Sequence, residues 1–497
     1  SRTFTIQQGV RQGGVLSAEF YKLFINNLLL SLESNGAGLT LGPYYLGCPT
    51  VADDVSLLSL CECQLQLMLD RVWEYACRNR YGLNASKSFV LIYGNQIQRD
   101  TAKSLKVWTL GPNQLPVVKE TTHVGILRNS DKPDSLTDDR INTARRTAYS
   151  LMGAGFHGIN GISPTIALQM YKCYVLPVLL YGLETVKPTR KSIDKLNKFH
   201  LFILKAIQSA PARTSTAAVY LMLGSLPIEG SIHKRALTLL GCILRSNNSK
   251  ICDWSLYMSA NSRYNSNSWF TYTSKLLRMY DLPSISELYD TKLTKSAWKN
   301  TVSRHVSDYW SKELHGEIAI RSSLTLLEAP TNGKPHVIWQ SINNNVKDVQ
   351  RAQVKFRLAT GTYMLNQKYS KFKNYQTDPN CPLCFTEEES LNHFLLHCSA
   401  LSEARKDLPQ ILQCVKKITP EYEYRRIIHN EDNLLQLIVD CTKIVNATPK
   451  QLIDLESMTR SLCFNLHCRR RFLLDSLRNN SILGNSKTDS AQRELGQ

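Results

Sequence analysis

Two adjacent carboxylates, Asp53 and Asp54, stand inside an apolar run, with Val51 and Ala52 before them and Val55, Leu57 and Leu58 after. Strand formers on both sides of two acids predict a tight hairpin that pushes both carboxylates out at one rim of a sheet. An acid pair so placed can hold divalent metal. Nucleotidyl transfer uses two such ions, one on the attacking oxygen and one on the leaving pyrophosphate. Taken alone, Ala-Asp-Asp between apolar residues is far more often a solvated turn. Upstream, however, lies the run Gln8-Gly9-Val10-Arg11-Gln12-Gly13-Gly14-Val15-Leu16-Ser17. Its glycines let the backbone approach a ligand closely, and Arg11 and Gln12 offer donors to phosphate or base edges.

A second group of residues has metal-ligand spacing. Cys381-Pro382-Leu383-Cys384, then His393, then Cys398 give C-x2-C-x8-H-x4-C. A knuckle turn can present the first two thiolates while a short helix supplies an imidazole and a third thiolate, a set that suits tetrahedral zinc. His397 is the alternative to Cys398, being one helical turn from His393. Three thiolates and one imidazole would close a structural site, which favours Cys398. The glutamates at 387 to 389 read as solvated turn residues. The other cysteines are scattered through apolar settings, where a free thiol acts as a small hydrophobe.

The elements that must position these groups follow from periodicity. Ser17 is a candidate N-cap for a helix on which Phe20, Leu23, Phe24, Asn27, Leu28 and Leu32 recur until Asn35-Gly36-Ala37-Gly38 stops it. Leu65, Met68, Leu69, Val72 and Tyr75/Ala76 mark a second amphipathic helix that ends near Tyr81-Gly82. Leu83-Asn84-Ala85-Ser86-Lys87-Ser88 then leads into the apolar strand Phe89 to Tyr93.

In order and spacing, Arg11 to Ser17, Val51 to Asp54 and Leu83 to Ser88 resemble successive palm motifs of reverse transcriptases from non-LTR (LINE-type) retrotransposons. The resemblance implies that Arg11, Gln12 and Gly13 border the incoming nucleotide and template. It implies that Asp53 and Asp54 bind catalytic Mg2+ and that Lys87 lies near the nucleotide phosphates. Thr122-His123-Val124-Gly125-Ile126 is similar to the family's primer grip, mainly through Gly125, and residues 144–245 resemble its helical thumb. A Cys-Cys-His-Cys element after the thumb, binding Zn2+, is also a family feature. Val51 stands where the family commonly has an aromatic residue, and Ala18 where it usually has proline. The family's first catalytic aspartate lies upstream of the glycine run, so the sequence reads as an N-terminally truncated fragment or a decayed copy. The implied partners are an RNA template, a DNA primer or target and deoxynucleoside triphosphates, and the implied setting is intracellular, with the nucleus during integration.

Composition fits a polyanionic partner. Sixty Lys and Arg against 41 Asp and Glu give a net charge of +19 in 497 residues, and 43% hydrophobic residues argue against global disorder. No apolar segment reaches the length of a spanning helix, and Ser1-Arg2-Thr3-Phe4 is neither a signal nor a transit peptide. Arg351, Lys355, Arg357, Lys368, Lys371 and Lys373 form an acid-free stretch before the knuckle, a candidate for backbone contact. Trp254, Trp269, Trp298, Trp310 and Trp339 read as core before they read as base-stacking platforms. The expected fold class is α+β: a partial right-hand palm with an antiparallel sheet over 1–130, a helical thumb over 131–250 and a helical connector over 251–375. A zinc knuckle over 376–402, a basic helical region over 403–478 and a disordered tail over 479–497 complete the expectation.

Overall fold

The computed structural model describes residues 9, 11, 13–105, 107–159, 161–263, 266–330, 333–343, 345–372, 376 and 378–494. Gln12 and Lys373, both singled out by the sequence, lie outside the described residues. The chain is mostly helical with short strand pairs, and it divides into two compact units, Ser1–Asp139 with Arg245–Ser262 and Arg140–Leu244 with Arg263–Gln497. No helix among the described residues is long and apolar enough to cross a membrane.

In the first unit, α1 (Ser17–Ser34) packs on α2 (Glu62–Arg78). The buried face of α1 is Ile25, Leu28 and Leu32, which meets Met68, Leu69 and Val72 together with Trp108, Leu110 and Leu115. Phe20 and Leu23 are instead 53% and 71% exposed. Ser17 does not cap α1 either: Leu16 occupies the N-cap without a side-chain bond, and the Ser17 hydroxyl turns back to the Arg11 carbonyl at 2.6 Å.

The strands of this unit are β1 (Thr40–Leu41), β2 (Tyr44–Tyr45), β3 (Thr50–Val51), β4 (Asp54–Val55), β5 (Val90–Leu91), β6 (Thr109–Leu110), β7 (Asn113–Gln114), β8 (Val117–Val118), β9 (Glu120–His123) and β10 (Ile126–Asn129). Among the described residues they form two-stranded pairs only, all antiparallel except β5 with β8. Hydrogen bonds continue past the β3–β4 pair, from Ser56 N to the Pro49 carbonyl at 3.1 Å, Leu58 N to Gly47 at 2.7 Å and Leu39 N to Leu58 at 2.8 Å. Gly38, at φ +116°, permits that third contact: a Cβ there would lie 3.1 Å from both the Gly47 Cα and the Leu58 carbonyl.

The second unit is a helical assembly. Helix Thr216–Leu223 is apolar on every side and buries all but its first residue, as a helix lacking a polar face must. Helices Arg190–Ile207 and Lys295–Ala319 pack against it, and Ile228–Leu244 packs against both of those. Trp298 and Trp339 are core residues, their indole N–H groups donating to the Leu237 carbonyl and to Gln208 Oε1. Helix Val346–Ala359 lies against the C-terminal helix Pro449–Glu494. That last helix keeps a helical backbone through Glu494, across most of the segment whose Asn-, Ser- and Gly-rich composition predicts disorder. The segment contains no proline to break a helix already started by a buried, well-packed N-terminal half.

Candidate functional site

Asp53 and Asp54 sit at the tip of the β3–β4 hairpin. Val51 pairs with Asp54, so the loop is two residues, Ala52 and Asp53, and Ala52 carries φ +53°. A positive φ at the first loop residue is what a tight hairpin requires for its twist to match the strands. The consequence is that the acids project from the tip: residues 51 to 54 are all exposed, and no ion pair neutralises either carboxylate among the described residues. Asp53 lies close enough to α1 that, after burial, its charge helps raise the Tyr21 hydroxyl above its ordinary pKa. The hairpin base is tied to β9 through the Ser56 hydroxyl and His123 Nε2, 3.4 Å apart.

The β9–β10 hairpin repeats the same device. Ile126 pairs with His123, leaving the loop Val124-Gly125, with φ +52° and +70°. Both signs match a type I′ turn, and Gly125 is there because its position needs the left-handed region. Lys87 ends a 3-10 turn, Ala85–Lys87, whose N-cap Asn84 accepts from the Lys87 backbone N–H and the Ser86 hydroxyl through Oδ1. Lys87 is exposed, as are Arg11 and Gly13. Gly13 has φ +80°, and a Cβ on Gly14 would lie 2.6 Å from Ser17 Oγ, so the loop closes tightly onto the start of α1. Neither Arg11 nor Lys87 bonds to the acid pair among the described residues.

In the second unit the ligand atoms of Cys381, Cys384, His393 and Cys398 all lie within 4.8 Å of one another. Cys381 Sγ is 3.8 Å from Cys398 Sγ, and Cys384 Sγ is 3.3 Å from His393 Nε2. A tetrahedral zinc with Zn–S of ~2.3 Å and Zn–N of ~2.0 Å sets S···S at ~3.8 Å and S···N at ~3.5 Å, so the donor set and its spacing fit that ion. The knuckle is a small hairpin in which Asn380 pairs with Glu388 and Cys381 N donates to the Glu387 carbonyl.

The x4 spacing has a structural cause. In an α-helix, residues five apart point about 140° away from each other. His393–His397 is instead a π turn, closed by a bond from Cys398 N to the His393 carbonyl at 2.8 Å, which returns residue 398 to the side of residue 393. His397 faces away, its Nε2 3.3 Å from Glu431 Oε2. Burial, then the neighbouring Cys381, pushes the Cys398 thiol up to about 12. Cys384 is also opposed by burial, but bonds from Thr386 and the nearby Cys381 and His393 lower it to about 6.

The knuckle glutamates are not all solvated turn residues. Glu387 Oε2 lies 3.1 Å from His393 Nδ1, fixing the ring with Nε2 toward the three sulfurs. Glu389 is 1% exposed and takes both Nε and Nη2 of Arg470 at 2.7 Å, with the Asn366 N–H also at 2.7 Å. Arg470 is an isolated signal in sequence, inside an arginine triplet, and its partner is 81 positions away. The acid-free basic stretch divides similarly. Lys355 is fully buried against Glu456 at 2.6 Å, and Arg357 is half-buried and bonded to the Ser209 carbonyl. Lys368 is half-buried too and donates to the Gly361 carbonyl at 2.8 Å, whereas Lys371 is exposed.

No protein-family model matches the chain. Over 122 residues it is 30% identical to the retrovirus-related Pol polyprotein from type-2 retrotransposable element R2DM of Drosophila melanogaster, covering 24% of this chain and 11% of that protein. Over 213 residues it is 26% identical to the corresponding polyprotein from type-1 retrotransposable element R2 of Popillia japonica, covering 40% of this chain and 27% of that protein. The matched segments thus span 27% or less of either relative. These partial identities support a retrotransposon origin for the chain and relate it to the Pol polyproteins of R2 elements.

Proposed function

We propose that the chain is the reverse transcriptase region of a non-LTR retrotransposon polyprotein, an RNA-directed DNA polymerase with a partial palm, a helical thumb and a zinc knuckle. The observation that carries this reading is the β3–β4 hairpin, whose tip exposes Asp53 and Asp54 with no cation paired to them among the described residues. Hard carboxylate oxygens at an open tip suit Mg2+. When bound there, Mg2+ would neutralise charge on the transferring phosphoryl group and lower the pKa of the primer hydroxyl. Asp53 and Asp54 hold the ions. The Arg11–Gly14 loop supplies backbone and guanidinium donors to the incoming nucleotide and template. Lys87 places a point charge beside the phosphates. The β9–β10 hairpin, with Gly125 at its tip, supports the primer end. Cys381, Cys384, His393 and Cys398 hold Zn2+ as a closed structural site. Supplied with a DNA primer on an RNA template, deoxynucleoside triphosphates and Mg2+, the protein is expected to extend the primer by template-directed addition; absence of any addition would contradict the reading.

A second reading is a nucleic-acid-binding remnant that adds no nucleotides. It is favoured by one observation: among the described residues no third His, Cys or carboxylate gathers with Asp53 and Asp54 at metal-binding distance, whereas the Cys3His cluster is complete. Salt-sensitive binding of RNA or DNA without primer extension would select it.

A further inference from the structure

Residues 195–228 and residues 349–377 each carry no carboxylate. The second unit brings their loops together. Arg213 Nη2 donates to the Thr362 carbonyl at 2.6 Å, and the preceding carbonyl, that of Gly361, accepts from Lys368 Nζ at 2.8 Å. Arg357 Nη2 reaches back to the Ser209 carbonyl at 3.4 Å. The Arg213 guanidinium lies over the Phe372 ring, 5.7 Å from its centroid, and that ring is 69% exposed. Lys371, next to Phe372, is exposed as well.

Burial, followed by the fields of Arg213 and Lys371, holds the Lys368 ammonium below its ordinary pKa. The neighbouring Gln367 Nε2 donates to Glu388 Oε2 at 2.8 Å. Converging cations and an open aromatic ring are what a phosphodiester strand with unpaired bases uses.

We propose that this surface binds a single-stranded nucleic acid, with Arg213, Lys368 and Lys371 meeting backbone phosphates and Phe372 stacking on a base. It contains none of the residues assigned to nucleotidyl transfer, and it rests on the polymerase reading only for the class of partner. An open ring on a guanidinium offers a base a flat π face to stack on.

The test is fluorescence anisotropy of a labelled single-stranded RNA, and of its duplex, across a salt series with the full chain. Lys371→Ala and Phe372→Ala are the decisive variants, because their side chains are exposed and their loss leaves the Arg213 and Lys368 bonds to backbone in place. Lys371→Ala is expected to lower the salt slope for the single strand by about 0.7. Phe372→Ala is expected to weaken single-strand binding roughly 5-fold or more, with the slope kept. Wild-type affinity and slope in both variants, with unchanged circular dichroism, would overturn the proposal, as would binding to phosphatidylserine vesicles without binding to the oligonucleotide. Primer extension is read separately on the same preparations. No extension with variant-sensitive binding sinks the polymerase reading alone, and normal extension with insensitive binding sinks this surface alone.

Discussion

Ala52 and Val124 begin the two hairpin loops with φ of +53° and +52°, where an L side chain crowds its own backbone. The cost is about 1–2 kcal/mol per residue, more for β-branched valine, whereas asparagine tolerates the region. Ala52→Asn and Val124→Asn should therefore each stabilise the first unit by about 1 kcal/mol, and Gly125→Ala should destabilise it by about 1–2 kcal/mol, in urea unfolding. Such strain at both tips is retained where a loop must present something, as the acid pair does. A different single residue controls the knuckle. Glu387 orients His393 from outside the ligand set, so Glu387→Ala should weaken zinc affinity by about 10- to 100-fold in a chelator competition. Unchanged affinity would mean the bond at 3.1 Å has no such role. The gathering of Cys381, Cys384 and His393 was legible from spacing, because short-range turns dictate it. The choice of Cys398 over His397 is settled in the structure by the π turn. Glu387 was not legible, since exposed acids near turns are common and only the His393 Nδ1 contact distinguishes this one.

At the scale of elements, the C-terminal helix is registered by polar contacts along one stripe. Glu456 and Thr459 meet Lys355, Arg460 meets Asp348, His467 meets the Tyr363 hydroxyl, and Arg470 meets Glu389 of the knuckle. Lys355 and Glu456 are both 0% exposed, so removing one leaves a charge in the core. Lys355→Ala should cost about 3–5 kcal/mol, while the double change Lys355→Met with Glu456→Leu should recover most of it. A double variant as unstable as the single would show that the pair is not what the core tolerates poorly. Helices here were foreseeable from apolar periodicity, but which cations stay in solvent was not. Lys355 read as a phosphate contact because its partner stands 101 positions away. On α1 the ambiguity was one of phase. Phe20 and Phe24 share a spacing with Leu28 and Leu32, yet Ile25 takes the inner position and Phe20 turns outward.

At the scale of the whole molecule, three histidines of the second unit are held below their ordinary pKa by burial, whereas His336, 3.0 Å from Asp440 Oδ2, is raised. Burial depresses His200, His233 and His467 to about 4, with His200 held between the Tyr171 hydroxyl and the Leu226 carbonyl. A base whose folded pKa lies below its unfolded value of about 6.5 takes up fewer protons when folded, so stability is full above that pH and is lost as pH falls toward 4. Unfolding free energy should accordingly decline between about pH 6.5 and 4, and His200→Gln should flatten part of that decline. Net charge of +19 and acid-free stretches such as 195–228 and 349–377 favour a polyanionic partner at this scale, and under the proposed function the hairpin at Asp53 and Asp54 carries the chemistry. The most direct check is the rate of single deoxynucleotide addition to a DNA primer annealed on RNA in Mg2+, for wild type and for Asp53→Asn and Asp54→Asn at matched folded concentration. The expected result is templated addition by wild type and a fall on the order of 10³-fold or more in each variant, as for groups that act as a unit. Addition by either variant within about twofold of wild type would contradict the assignment of the acid pair to catalysis.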